Sequence, residues 1–313
     1  MRPLLGLAEE DFDALAGDVD LIFHAGARVN LLYPYSELKA ANVGGTREVL
    51  RLACRGVTPV HYVSSNGIFP PGFPEGIMWK EDVDLETLAG GRDDGYGQSK
   101  WVAEKLVREA GGRGLPVRVY RPGNISGHGV TGASNPRDTL GAILVQSLRL
   151  RAAPRIEGWR MEMTPVDFVS EAICRIAEDP NSTGKAFHLT EPDPPLAEEV
   201  FAWLEEAGYA LDRLVYPEWA EALRGEWRQA GDGPAATVGL RGSAPGVEEL
   251  RDDNTYDDAN VRESLRGSGL RRPDIDAALI EKYARYFAEK GWVHLPDADE
   301  ARRTVARTGA RNE

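Results

Sequence analysis

The stretch VDLIFHAGA (residues 19–27) is a nearly continuous apolar run that ends in small residues. A strand of a parallel sheet reads this way, because helices cover both faces and leave no wet side to alternate with. The small residues at its end mark a tight loop. The next segment, YSELKAANVGGTREVLRLACRG (35–56), has helical spacing and a glycine stop. PVHYVSSNGIF (59–69) repeats the pattern of strand then turn, a helix follows from Tyr96, and LPVRVYRPGNISG (115–127) is a strand running into a Pro-Gly loop. Strands alternating with helices predict an α/β fold with a mostly parallel sheet covered on both faces. Ligands of such folds bind at the carboxyl ends of the strands. Here those ends are Ala25–Ala27, Ser64–Ser65 and Pro122–Ile125.

Working outward, residues 8–17 read as an acidic amphipathic helix, and 70–94, rich in Gly, Pro and Asp, as a long loop. Beyond about residue 128 the pattern changes. Residues 136–154 read as one helix, 163–179 as a helix starting at a proline, and 184–192 as a short strand. Further helices are expected over 196–209 and 217–227, and a periodic closing helix over 272–292. The small, Gly-rich residues 229–247 predict a mobile loop, and the charged tail after about 296 predicts fraying.

The bulk properties narrow the partners. The chain has 313 residues, enough for one large α/β domain or a core domain with a smaller appendage. Its net charge of −13 repels phosphate, which disfavours nucleic acid and anionic membranes as general partners. No apolar run is long enough to span a bilayer, and the N-terminus is not a signal peptide, so a cytoplasmic protein is expected. Cys54 and Cys174 sit in apolar helical patterns and are expected to be buried and reduced. No Cys/His cluster has metal-ligand spacing, so no metal site is expected.

The chemistry concentrates in DDGYGQSKWVAEKLV (93–107). Tyr96 and Lys100 are one helical turn apart and so share a face. A free tyrosine titrates at about 10. An ammonium beside it favours the phenolate and is expected to lower that value, making Tyr96 a proton donor near neutral pH. A hydroxyl from Ser65 can give a second hydrogen bond to the same substrate oxygen. A lone YxxxK spacing is weak. A strand ending in Ser-Ser before it and an RPG loop after it make it specific.

The order HAGA…YVSS…YGQSK…RPGNISG resembles the extended short-chain dehydrogenase/reductase superfamily. Within it the phrases VNLLYPYSELKAANVGGTREVLRLA, YGQSKWVAEKLV, YRPGNISGHGVTGASNPRD, MTPVDFVSEAI and PDIDAALIEKYARYF are similar to the thioester reductase domains of nonribosomal peptide synthetases, carboxylic acid reductases and aminoadipate reductase. The resemblance covers roughly residues 4–295. It implies a Rossmann-like doubly wound sheet over 1–130, a smaller, mostly helical substrate subdomain over 131–295 with segments returning to the sheet, and a tail over 296–313. It also implies NADPH as hydride donor and an acyl or peptidyl carrier protein with a phosphopantetheine arm as partner.

Residue by residue, the resemblance makes Ser65, Tyr96 and Lys100 the catalytic set, with Ser65 where these reductases usually have threonine. Lys100 and Tyr96 would also meet the nicotinamide ribose. Ala25, Gly26 and Ala27, with Ser64, would run along the cofactor, and Pro122, Gly123, Asn124 and Ile125 would meet the carboxamide. Asn42 matches a helix asparagine with a structural role. One departure stands out: the Gly-rich turn (GxxGxxG) that holds the cofactor pyrophosphate in this family is not in the sequence. That leaves three expectations: Met1 is not the native start, another piece supplies this half, or the chain is a truncated product that holds cofactor poorly. With the first strand of the family missing, an apolar sheet edge is expected to be exposed.

Other residues are expected to be structural. His24 and His61, in strand patterns, should be buried and neutral, and His128 a loop histidine. Glu81, Asp82, Asp84 and Glu86 should form a solvated acidic face, and Arg149, Arg151 and Arg155 a solvated helix end, the alternative being a contact with a carrier's pantetheine phosphate or acidic surface. Trp79, Trp159, Met161, Met163 and Trp203 should pack in the interior, where a few could line an acyl channel. The leading expectation is NAD(P)H-dependent reduction of a carrier-bound thioester to an aldehyde, with a second reduction to the alcohol left open. The alternatives are a nucleotide-sugar or acyl-CoA enzyme of the same superfamily, or a binding module without catalysis.

Overall fold

A computed structural model describes residues 2–72, 75–135, 138–230 and 247–296. In chain order it contains α1 (Glu9–Asp18), β1 (Ile22–His24), α2 (Tyr35–Gly56), β2 (Val60–Val63), β3 (Met78–Trp79), α3 (Gly95–Gly112), β4 (Val117–Pro122) and β5 (Ile125–Ser126). There follow α4 (Thr139–Leu150), β6 (Ala152–Arg155), β7 (Thr164–Pro165), α5 (Val166–Glu178), β8 (Ala186–Leu189), α6 (Ala197–Glu206), β9 (Asp212–Val215) and α7 (Tyr216–Ala230). The last elements are α8 (Val247–Leu250), β10 (Thr255–Tyr256), α9 (Ala259–Ser264) and α10 (Ala277–Glu289). The expected 229–247 loop and 296–313 tail lie almost wholly outside the described residues.

The main sheet is parallel throughout, in the order β1-β2-β4-β8. Its strands follow chain order, so α2, α3 and α5 lie on the crossovers. The period-2 alternation of β4 shows how both faces are filled. Val117 and Val119 face a core with Leu50 and Ala53 of α2 and Ala103 and Val107 of α3. Tyr120 points the other way, to Phe168, Val169, Ala172 and Ile176 of α5. A separate, larger core joins α4, α6, α7 and α10 around Trp159, Met161 and Met163, all buried, with Trp203 packed against it. On β1, at the sheet edge, Phe23 is 48% exposed and the preceding Leu21 40%.

Several elements differ from expectation. Residues 70–94 are more than loop: β3 pairs with β10, and Ile68, Phe69, Leu85 and Leu88 make a small core with Tyr256, against which Trp79 packs. The helix expected over 136–154 ends at Leu150, where Arg151 turns left-handed (φ 52) and β6 starts, pairing with β9. Both cysteines are exposed, on the outer faces of α2 and α5, not buried. Arg149 forms an ion pair with Glu226 (2.6 Å) at partly buried positions instead of standing in solvent.

The acidic face also divides. Asp82, Asp84 and Glu86 are exposed, but Glu81 is buried and accepts hydrogen bonds from the His188 amide (2.9 Å) and the Asn260 amide (2.6 Å). Burial pushes its carboxyl up to about 7 against the pull of those two bonds. His24 and His61 are both lowered to about 4, chiefly by burial, and stay neutral at pH 7.

The sheet is tied to α3 by a buried charge pair. Arg121 of β4 and Glu104 of α3 have no exposed side-chain surface and meet at 2.7 Å. The remaining Arg121 donors go to the Glu81 carbonyl oxygen (3.2 Å) and His188 Nε2 (3.0 Å). Removing one partner strands the other in a medium that solvates it poorly. Arg121→Met should therefore cost about 3–5 kcal/mol in a denaturant titration. Arg113→Ala, which removes an exposed i,i+4 pair with Glu109, should change stability by less than about 1 kcal/mol.

Candidate active site

The carboxyl ends of β1, β2 and β4 and the start of α3 converge. Helix α3 begins there because Asp94 caps it, accepting from the Gly97 amide (2.6 Å). Gly95 lets the helix start lie against the loop before α2: a Cβ at 95 would overlap the Tyr33 carbonyl oxygen and the Tyr35 amide nitrogen. Arg92 donates to Asp94 and to the Phe69 carbonyl oxygen (2.6 Å), tying the cap to the turn after Ser65.

The Ser65 hydroxyl and the Tyr96 ring both border the space a side chain at Gly67 would fill, and Ser65 is among the groups that act on the Tyr96 phenol. The Ser65 hydroxyl also accepts from the Gly67 amide (3.0 Å), which fixes its oxygen. Lys100 is buried; its Nζ donates to the Val63 carbonyl oxygen (2.7 Å) and lies 4.5 Å from the centre of the Tyr62 ring. An ammonium has three donors, so two remain for other partners.

The electrostatics correct one expectation. The Tyr96 phenol is raised, not lowered: burial pushes it up, the Ser65 bond pulls it down and the Asp94 carboxylate raises it further. Burial acts on Lys100 with the opposite sign and brings the ammonium down to about 8, although the Glu104 charge works against that. Tyr96 therefore keeps its proton at neutral pH, and the charges acting on it do not include Lys100, which lies one turn along the helix.

The remaining expected residues divide. Asn42 is buried and structural: it accepts from the Arg28 amide (2.7 Å), and donates to the Arg28 carbonyl oxygen (3.1 Å) and the Ser99 hydroxyl (2.8 Å). Ser99 in turn donates to the Tyr96 carbonyl oxygen (2.8 Å). Ala25, Gly26 and Ala27 are exposed in the loop that this bridge anchors. Ser64 is buried and its hydroxyl donates to Glu104 Oε2 (2.6 Å), so that side chain is used in the core.

Pro122–Ile125 runs along the rim, with Asn124 exposed. The Gly123 amide donates to the Leu189 carbonyl oxygen (3.3 Å) and the Asn124 amide to Glu162. Those two donors are therefore not directed at a ligand. Sequence reasoning missed Glu162, which lies in no motif. His128 accepts from the Val130 amide (3.1 Å), as a loop histidine does.

Against a nicotinamide dinucleotide, the donor set fits the nicotinamide-ribose end. A phenol and an ammonium on one helix face can meet ribose hydroxyls, and the small residues at 25–27 allow close approach. The sequence holds no Gly-rich turn for the pyrophosphate. Among the described residues no group of acidic, His or Cys side chains could hold a metal, and no helix is long and apolar enough to cross a membrane.

Residues 1–173 match the NAD-binding family described as male sterility protein, and the chain belongs to that family. It is 45% identical over 300 residues to glycine betaine reductase ATRR of Emericella nidulans, covering 94% of this chain and 23% of that protein. It is 35% identical over 309 residues to isonitrile lipopeptide synthase of Streptomyces coeruleorubidus, covering 94% of this chain and 20% of that one. The chain thus spans less than a quarter of the length of either relative. The crystal structure of the terminal R domain from the myxalamid PKS-NRPS biosynthetic pathway superposes with a TM-score of 0.82 at 39% identity, covering 95% of this chain and 75% of that one. Within the extended short-chain dehydrogenase/reductases, the chain falls in the thioester reductase branch.

The Gly95 contact supplies a test of how the site is built. Gly95→Ala places a methyl against backbone that cannot swing away, an overpacking that should cost about 1–3 kcal/mol. Thermal unfolding of the variant should show a drop of several degrees, about 2–4 °C per kcal/mol in a chain of this size.

Proposed function

We propose that this chain reduces a carrier-bound acyl or peptidyl thioester to an aldehyde, using NADPH. The observation that carries the reading is that the Ser65 hydroxyl and the Tyr96 ring border the same space beside Gly67, with Lys100 one turn along α3. Its membership of an NAD-binding family, and its likeness to a terminal R domain, support the same reading. The proposed partner is a carrier protein with a phosphopantetheine arm, met in the cytoplasm.

When bound, nicotinamide supplies the hydride that the side chains cannot. The chain positions and protonates. Ser65 and Tyr96 donate hydrogen bonds to the carbonyl oxygen of the thioester, and these strengthen as that oxygen turns anionic. Tyr96 then gives it a proton. An alkoxide is a far stronger base than a phenolate, so a raised phenol still transfers its proton downhill and is never lost to deprotonation beforehand. Lys100, charged below about 8, stabilises the phenolate left behind. The resulting hemithioacetal loses its proton as its carbon–sulfur bond breaks, releasing the carrier thiol and leaving the aldehyde.

Tyr96→Phe should lower the rate of NADPH oxidation with an acyl-loaded carrier by about 10²-fold or more, the usual effect of losing a general acid. Near-normal turnover would refute the assignment. The wild-type rate should fall as pH rises through about 8, where Lys100 loses its charge, with no fall from Tyr96 until pH passes its ordinary value, because its phenol is raised. A rate that is level through that range would exclude Lys100 as the charged partner.

A further inference from the structure

We propose that Glu162 is the positioning residue of the Pro122–Ile125 loop, fixing through the Asn124 amide the backbone on which the nicotinamide end of the cofactor rests. This depends on the reading of that loop as a cofactor contact. Glu162 precedes β7 and joins the start of that strand to two distant segments with one carboxylate. Oε2 accepts from the Asn124 amide, and Oε1 accepts from the Thr164 hydroxyl (2.8 Å) and the Glu191 amide (3.0 Å). The loop after β4, the start of β7 and the loop after β8 thus share one acceptor group.

Gly123 records the same contact. Its φ lies outside the positive range, so backbone conformation does not demand glycine there. A Cβ at 123 would instead overlap both carboxylate oxygens of Glu162. A side chain at the glycine of RPG would push the Glu162 carboxylate off its three hydrogen bonds.

The hold is sensitive to protonation. An ionised carboxylate accepts at both oxygens, whereas a neutral one turns one oxygen into a donor. Burial raises the Glu162 carboxyl to about 7, its three hydrogen bonds pull it down, and the Glu191 charge raises it. Glu191 in turn faces Arg272 (3.9 Å), which also pairs with Asp258 (3.0 Å), and Asp193 follows in the same loop. From β10, Tyr256 feels the Glu162 charge. No cation pairs directly with Glu162 among the described residues. The Asn124 bond pulls the Glu162 pKa down against the burial that raises it, so by linkage that bond favours the ionised acid: it is strongest above about 7 and weakens as pH falls through that value.

Two measurements test this. In protein labelled with [15N]asparagine, the Asn124 amide signal (identified by its loss in Asn124→Asp) should shift with a midpoint near pH 7. That step should be absent in Glu162→Gln. Thr164→Val, which removes one bond to the carboxylate and nothing from the loop, should move the midpoint upward. Second, nicotinamide fluorescence should show NADPH binding weakened about tenfold between about pH 8 and pH 6 in the wild type, the scale of one hydrogen bond to a charged group. The weakening should vanish in Glu162→Gln.

An Asn124 amide that does not titrate, or that titrates equally in Glu162→Gln, overturns the proposal. So does an amide that titrates while NADPH affinity stays constant with pH. If NADPH binds at neither pH, the reading of the cofactor site fails and takes this role with it. The amide titration would still decide whether Glu162 holds the loop.

Discussion

One carboxylate holds the site together. Glu104 lies one turn beyond Lys100 on α3, with no exposed surface, and takes hydrogen bonds from Ser64 at the end of β2 and from Arg121 at the end of β4. Burial alone would neutralise it; the Arg121 charge and bonds, with the Ser64 bond and the Arg108 charge, outweigh that and hold it ionised, below its ordinary value. The consequence is geometric. Two strand ends and one helix share an anchor that admits no sliding, because any shift would leave a buried charge unpaired. Ser65 and Lys100 inherit their positions from it. The Asn42 bridge adds the loop after β1 by linking the Arg28 backbone to Ser99 and so to the Tyr96 carbonyl.

That rigidity bears on the acid. A buried phenol between a hydroxyl and a nearby carboxylate is a weaker acid than free tyrosine, contrary to the simple expectation from a Tyr-Lys pair. The expectation weighed only the charge of the neighbour and left out the solvent taken away. For the proton donor to an alkoxide proposed for Tyr96 this is no handicap: the product oxygen would be the stronger base, and the donor must carry its proton at the start of each turnover.

Much of the fold could be read from the chain, for physical reasons. Helices α2 and α3 are long, amphipathic and end at glycine, so period and punctuation agree with the structure. The strands of the main sheet stand out as apolar runs. β3, β5, β7 and β10 do not, because two residues cannot display a period. β6 merges in the sequence with the helix before it, since a left-handed Arg151 has no glycine to announce it. Ser65, Tyr96 and Lys100 could be proposed from the chain because their spacing is local or their motif specific. Glu162 could not: its partners are backbone amides 38 and 29 residues away, and an amide carries no residue identity for a motif to record. Glu81 was hidden for a similar reason, its acidic run looking solvated although its partners are the His188 and Asn260 amides.

Glu162 and Lys100 share a cause with opposite results. Desolvation penalises whichever form is charged, so it lifts an acid and lowers a base. It brings Glu162 up to about 7 and Lys100 down to about 8, from ordinary values on either side of neutrality. On the roles proposed above, the loop after β4 is held best when the acid is ionised, and the Tyr96 phenolate is supported best when the amine is protonated. The two demands pull in opposite directions along the pH scale, so the site as proposed is hampered at both the acid and the alkaline extreme.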